Sequence, residues 1–117
     1  MKARRIIVPK MEGLYQIGHK LPHELLSEQY YVYNLTQHDF EMLWNENIIS
    51  LMNHAANATI DDFKDTVIMD HSLMGKIAED LNVLESIVNQ SLKLVIQKIV
   101  FLLKQALERN TLIIFNF

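Results

Sequence analysis

The densest group of side chains that could do chemistry is acidic and lies just after residue Thr59. Asp61, Asp62 and Asp65 fall within five residues, and Asp70 follows shortly afterwards. Carboxylate oxygens are the ligands that Mg²⁺ and Ca²⁺ prefer in proteins, but the calcium-loop spacing, with its central glycine and closing glutamate, is missing. Three interpretations stay open: helix capping with a solvated face, an acidic surface for a basic protein partner, and a metal site.

The remaining reactive side chains are scattered. The five histidines show no His-Glu-x-x-His or comparable zinc spacing, and Pro22 disfavours a regular helix between His19 and His23. The serines lack a Gly-x-Ser-x-Gly elbow, and three isolated glycines cannot build a phosphate-binding loop. The chain has no cysteine, which excludes disulfides and thiolate chemistry. We therefore expect a protein that is not an enzyme, with no catalytic residue, no metal and no cofactor.

Aromatic side chains form a second candidate site in the segment from Gln29 to Leu35. If this segment is a strand, Tyr31 and Tyr33 point to one face and Tyr30 to the other. The two tyrosines then either form an exposed aromatic patch of the kind that interfaces carry, or pack across neighbouring strands.

Composition limits the class of protein. Half of the 117 residues are hydrophobic, which argues against disorder and allows a single domain over residues 1–117. The apolar runs are too short for a signal peptide or a membrane span, so we expect a cytoplasmic protein that does not bind membranes. A net charge of -3 argues against nucleic acid as a partner.

β-Branched and aromatic segments at both ends of the chain predict strands. Arg4 to Val8 and the segment from Thr111 to Phe117 are the terminal strands, and Gln29 to Leu35 is a third. We expect an α+β fold, in which a small sheet including the N- and C-terminal strands packs with three to four helices. The core should contain Phe40, Trp44, Ile77, Leu81, Ile96, Ile99 and Leu103.

Apolar spacing and capping residues predict the helices. The expected helices are one from the Thr36 cap to about Ala56, a short one over about Ile60 to Val67 after the Thr59 cap, one after the Asp70 cap, and one over Leu92 to about Arg109 with Asn110 as its stop. The last helix is apolar beyond one face, since Leu94, Val100 and Phe101 fall on its other side. This excess predicts either a central position or an interface.

Three segments together resemble a known class of proteins. They are Asp39-Phe40-Glu41-Met42-Leu43-Trp44-Asn45, Ile60-Asp61-Asp62-Phe63, and the ending Ala106-Leu107-Glu108-Arg109-Asn110-Thr111-Leu112-Ile113-Ile114-Phe115-Asn116-Phe117. In roughly residues 36–68 and 104–117 the chain resembles the small bacterial immunity proteins that accompany polymorphic toxins, including those of contact-dependent growth inhibition.

The resemblance implies a cytosolic toxin inhibitor that acts by protein–protein interaction with one cognate toxin domain. The mildly acidic charge suits a basic nuclease domain as that partner. Asp61, Asp62 and Asp65 are the first candidates for toxin binding, and Tyr31 and Tyr33 are the next. The alternative function is a small regulatory or structural protein that oligomerises through its apolar C-terminal helix.

Overall fold

A four-stranded antiparallel sheet with helices on one side organises the molecule. The computed structural model describes residues 3–16, 20–61 and 64–117. In chain order the described elements are β1 Arg4–Pro9, β2 Tyr30–Leu35, α1 Gln37–Asn45, α2 Ile48–Ala56, β3 Asp65–Ile68, α3 His71–Glu85, α4 Gln90–Glu108 and β4 Ile113–Asn116. The strand order is β2-β1-β4-β3, so the N- and C-terminal strands form the centre of the sheet. The α+β prediction is confirmed.

The two central strands are buried on both faces. Ile6 and Phe115 are register partners and point towards the helices, where α4 contacts both β1 and β4. Ile7 and Ile114 are partners one residue further along, so they point to the opposite face, and both are fully buried. A strand covered on both faces reads as a continuous apolar run, as Ile6-Ile7-Val8 and Ile113-Ile114-Phe115 do.

The connection between β1 and β2 contributes to the cover on the face opposite the helices. Tyr30 points to that face, and its hydroxyl donates to the Leu14 carbonyl at 3.3 Å. Neighbouring apolar side chains of the connection pack against the core, namely Tyr15, Leu21 and Leu25. An irregular segment thus takes part in a second layer, although its sequence carries no helix or strand signal.

Three of the predicted helix boundaries, at Thr36, Asp70 and Asn110, agree with the structure. Thr36 and Asp39 form a capping box at the start of α1, with Thr36 Oγ1 accepting from the Asp39 N–H at 3.0 Å. Asp70 caps α3, and hydrogen bonds from the Ser72 hydroxyl and from nearby backbone N–H groups hold the pKa of its carboxyl below the usual value. Asn110, with φ 56°, provides the left-handed turn after α4.

The single helix predicted from Thr36 to Ala56 is wrong, because the chain breaks into α1 and α2. Asn47 adopts a left-handed conformation with φ 62°, which asparagine tolerates better than most residues. The break changes the direction of the apolar face. Trp44 stacks on Phe40 with ring centroids 6.0 Å apart, yet it is 48% exposed, so its predicted place in the core is also wrong.

The short helix predicted from Ile60 to Val67 is wrong as well. Asn53 binds the backbone of Ile60, where the predicted helix would begin: its side chain donates to the Ile60 carbonyl at 2.9 Å and accepts from the Ile60 N–H at 2.6 Å. The chain then enters β3, whose β-branched residues pair with β4. Pairing with a buried strand therefore outweighs the preference of the capping residues for a helix. Asp62 and Phe63, which the predicted helix included, lie outside the described residues.

Helix α4 lies across the sheet and supplies much of the core. Val100 is buried, contrary to the expectation that it would share the outer side with Leu94 and Phe101. Those two residues, seven positions apart, are 50% and 49% exposed and lie on the same side of the helix. Of the predicted core residues, Phe40, Ile77, Leu81, Ile96, Ile99 and Leu103 are all buried. In the described part of the chain, none of the helices meets the length and hydropathy that a membrane crossing requires.

Candidate protein-binding site

The predicted tyrosine pair meets the exposed side of α4. Tyr31 and Tyr33 of β2 lie beside Lys98 and Phe101 of α4, and together these four residues are called the tyrosine surface. They line a shallow groove of about 250 Å³ between the strand and the helix. Both tyrosines are half-buried, so the structure combines the two interpretations left open by the sequence: the rings pack, and part of each stays exposed.

Tyr31 contacts several residues of α4 and the residues next to it. Its hydroxyl donates to Gln105 Oε1 at 3.1 Å and accepts from Arg109 Nη2 at 3.0 Å. Its ring meets Phe101 edge to face, with centroids 5.7 Å apart. The Lys10 ammonium and the Arg109 guanidinium lie 4.6 Å and 5.3 Å from the ring centroid. Tyr31 therefore ties the edge strand to the last turns of α4.

Tyr33 links the other end of the surface to α1. Lys98 Nζ lies 4.9 Å from the centroid of its ring. Burial, together with the negative charge and hydrogen bonding of Asp39, raises the pKa of the Tyr33 hydroxyl to about 12. The phenol thus stays protonated at neutral pH, when it can donate a hydrogen bond but cannot act as a base.

The local charge of the tyrosine surface differs from that of the whole chain. The chain carries a net charge of -3, yet three cations, Lys10, Lys98 and Arg109, lie over the two rings. At the other end of the surface, the negative charge of Asp39 acts on the Tyr33 hydroxyl. A partner that covers the Tyr31 end and Lys98 should bring carboxylates to this surface, because cations that become buried in an interface need compensating charge.

Strand β2 forms one edge of the sheet, and the ladder determines which of its backbone groups face outwards. Lys10 N–H donates to the Gln29 carbonyl at 2.8 Å, immediately outside the Pro9–Tyr30 pair. That pair is therefore a non-hydrogen-bonded one, and such pairs alternate along an antiparallel ladder. It follows that the N–H and C=O groups of Val32 and Asn34 point away from β1. Within the described residues no hydrogen bond from elsewhere in the chain reaches them.

The acidic segment does not form one helix face. Asp61 Oδ1 accepts from the Lys64 N–H at 3.2 Å. Asp65 starts β3, where its carboxylate accepts from Asn116 Nδ2 at 2.6 Å, and Asn116 in turn accepts from Arg5 at 2.9 Å. The third candidate, Asp62, lies outside the described residues. Asp61 and Asp65 thus have separate structural contacts, and Asp65 lies at the edge of the sheet opposite Tyr31 and Tyr33.

A second groove of about 300 Å³ lies at one end of the sheet, between Met11 and Met69. Here a ring nitrogen of His71 is 2.9 Å from the Thr111 carbonyl, so the imidazole joins α3 to the start of β4. The Thr111 hydroxyl oxygen is buried and has no hydrogen-bond partner within the described residues. In the part of the chain that the structure describes, no three histidine or carboxylate side chains come together as metal ligands would.

Sequence reasoning identified the tyrosines but missed the cations that surround them. Lys10 is far from Lys98 and Arg109 along the chain, and only the fold brings all three cations to the two tyrosines. Lys98 carries a weak signal, since it lies four residues after Leu94 and three before Phe101, on the exposed side of α4. No family model, no curated protein and no solved structure matches this chain.

Proposed function

We propose that this protein is a cytosolic immunity protein that binds a cognate toxin domain and blocks it without catalysis. The observation that best supports a binding role is the tyrosine surface, where three cations lie over the two tyrosine rings, Phe101 packs against Tyr31, and the strand edge is open. Interfaces are enriched in tyrosine, phenylalanine and arginine, and such residues supply most of the binding free energy. The resemblance to immunity proteins supplies the toxin as the partner.

The tyrosine surface is a better candidate interface than the acidic segment. Its members touch one another, whereas Asp61 and Asp65 bind backbone and side-chain groups of their own neighbourhoods. The toxin should present carboxylates where it covers Lys98 and Tyr31. A basic region of a nuclease domain would instead contact Asp65 and its neighbours. Binding of a basic partner by the acidic segment therefore stays a separate prediction.

Co-expression with a toxin domain encoded beside this gene tests the proposal. Phe101→Asp should abolish protection of the cells, because it places a charge in the centre of the apolar part of the surface. The matched control is Val83→Asp, which alters an apolar residue on α3 that is more exposed than Phe101 and should protect as well as the wild type. Circular dichroism of both variants controls for folding. Wild-type protein that fails to rescue cells from the toxin would contradict the proposed function.

The same assay separates the two candidate interfaces. Replacing Asp61, Asp62 and Asp65 together by Asn should leave protection intact if the tyrosine surface holds the toxin. Loss of protection by a folded triple variant, with Phe101→Asp still protective, would move the interface to the acidic segment.

Oligomerisation through α4 is the second candidate function. It is favoured by the exposure of Leu94 and Phe101, which lie two turns apart on the same side of the helix. Sedimentation of the wild type and of Leu94→Glu distinguishes the two functions. A dimer that the substitution converts to a monomer would support this second function, and a monomeric wild type would remove it.

A further inference from the structure

The open edge of β2 determines how a partner can be held. We infer that an extended segment of the partner protein adds to this edge as a fifth strand, with carboxylates at alternate positions on the side that faces α4. The inference rests on the proposed binding function and specifies the partner's contacting segment. Its backbone would pair with Val32 and Asn34, and its side chains would enter the groove beside Phe101.

The backbone of β2 is suited to such pairing. Val32 and Asn34 direct their N–H and C=O groups outwards, with the spacing of two residues that an added strand matches. Tyr30 supplies a control within the same strand, because its outward N–H is already bound to the Leu26 carbonyl at 2.9 Å. An added strand can therefore pair with the part of β2 beyond Tyr30, up to the start of α1.

The sequence of β2 lacks the features that usually protect a sheet edge. Proteins block exposed edges with proline, lysine, bulges or very short strands. The six residues Tyr30–Leu35 contain no charge and no proline, and their register with β1 is continuous. The opposite edge, β3, has four residues and begins with the charged Asp65. Of the two edges, β2 is the one that can receive another strand.

The groove specifies the side chains of the added strand. Val32 lines the groove together with Tyr31 and Tyr33, although its own side chain points to the opposite face. The groove therefore follows the edge of the strand and continues up to Phe101. Lys98 lies over this groove, and Lys10 and Arg109 extend the positive charge beyond Tyr31. Alternating carboxylates on the α4 side would meet these cations.

Two other occupants fit the geometry less well. Bases of a single-stranded nucleic acid need open ring faces for stacking, but cations of the chain itself already lie over Tyr31 and Tyr33. A second copy of the chain could pair through its own β2, but the two tyrosine surfaces would then meet with their cations facing each other. Repulsion between like charges disfavours that dimer.

A peptide-binding measurement on the full chain tests the inference without a toxin. The probe is a short synthetic peptide of alternating valine and glutamate, whose binding is measured by fluorescence anisotropy at low and high salt. Two matched peptides serve as controls: one carries N-methyl groups on alternate backbone nitrogens, and the other has lysine in place of glutamate. We expect binding of the first peptide only, weakened by salt. Equal binding of the N-methylated peptide would overturn the inference.

Variants at Val32 locate the binding site. Val32→Pro removes an outward N–H and leaves the ladder between β1 and β2 intact, as edge strands tolerate proline at such positions. It should weaken binding of the valine–glutamate peptide about tenfold, as expected for the loss of one hydrogen bond. Val32→Ala keeps the N–H and should bind as the wild type does. Equal binding by a folded Val32→Pro variant would overturn the inference, and the N-methylated peptide decides the matter if that variant does not fold.

Three further measurements separate the alternatives. Binding of an oligothymidine in place of the peptide, or a wild-type dimer that Val32→Pro dissociates, would overturn the inference in favour of the other occupants. With the cognate toxin, loss of protection by Val32→Pro would support it. A Val32→Pro variant that protects fully would overturn the inference that the partner adds a strand to β2, but it would leave the proposed immunity function intact. Wild-type protein that does not protect would contradict the proposed function. The peptide measurements would still show whether the edge of β2 binds an added strand.

Discussion

Substitution of Tyr31 should reveal how far the tyrosine surface stabilises the fold. Tyr31→Phe removes the hydrogen bonds to Gln105 and Arg109, at 3.1 Å and 3.0 Å, but keeps the ring. A neutral hydrogen bond contributes about 1 kcal/mol, and one to an exposed guanidinium contributes little more than its replacement by water. Gln105 also keeps its bond from Arg109 Nε at 3.2 Å. We expect a loss of about 1–1.5 kcal/mol in the free energy of unfolding.

Tyr31→Ala removes the ring as well. The edge-to-face contact with Phe101 contributes about 0.5–1.5 kcal/mol, and each cation over an exposed ring about 0.5–1 kcal/mol. Removing a half-buried ring adds roughly 1 kcal/mol. These contributions overlap, so we expect a total loss of about 3 kcal/mol, which a domain of ordinary stability survives.

Urea unfolding followed by far-UV circular dichroism measures both losses. The expected order is wild type, then Tyr31→Phe, then Tyr31→Ala, with an unchanged dependence on urea concentration. Equal losses for the two variants would mean that the ring contributes nothing beyond its hydroxyl. A loss below about 0.5 kcal/mol for Tyr31→Ala would refute the assigned contacts.

Three further predictions concern stability. Asn53→Ala should lower the free energy of unfolding by about 2–4 kcal/mol in urea, because it leaves two backbone groups of the buried Ile60 without partners; a loss under about 1 kcal/mol would show that water replaces the amide. The pKa of Tyr33 is raised from 10.0 to about 12, so its contribution to stability is complete below pH 10 and is lost as the pH rises towards 12. Thermal unfolding should show this decline in the wild type and less of it in Tyr33→Phe, and identical profiles would contradict the assignment. Asp70→Ala should destabilise the protein at neutral pH, because it removes the cap of α3. Since the folded pKa of Asp70 lies below its usual value, the difference in urea-unfolding free energy from the wild type should shrink as the pH falls through that range.

Local sequence signals predicted the elements that depend on a few neighbouring residues. The capping box at Thr36, the Asp70 cap and the left-handed turn at Asn110 each act within about one helical turn, so the residues themselves specify them. The terminal strands were predictable because β-branched runs such as Ile113-Ile114-Phe115 fit a sheet buried on both faces. Alternation in β2 likewise predicted that Tyr31 and Tyr33 share one face.

Tertiary structure decided the elements in which a local preference competes with a distant contact. The segment after Thr59 carries helix-capping residues, but pairing with the buried β4 gives more than a short isolated helix could, so it becomes β3. The break at Asn47 turns Trp44 outwards, although its spacing matches a continuous apolar face. Periodicity reports which residues are apolar, but it does not report where a helix changes direction.

In the candidate site, too, some features were determined by the sequence and others only by the tertiary structure. The sequence alone determined an α+β chain with aromatic residues on one side of β2 and an apolar last helix. The strand order made β2 an edge and gathered Lys10, Lys98 and Arg109 around Tyr31 and Tyr33. Lys10 lies far from the other two cations along the chain, and all three are far along the chain from Tyr31 and Tyr33 and reach them only through the fold, so no local pattern could have placed all of these residues together. Only the folded sheet determines which backbone groups of Val32 and Asn34 face outwards, because that depends on the register with β1.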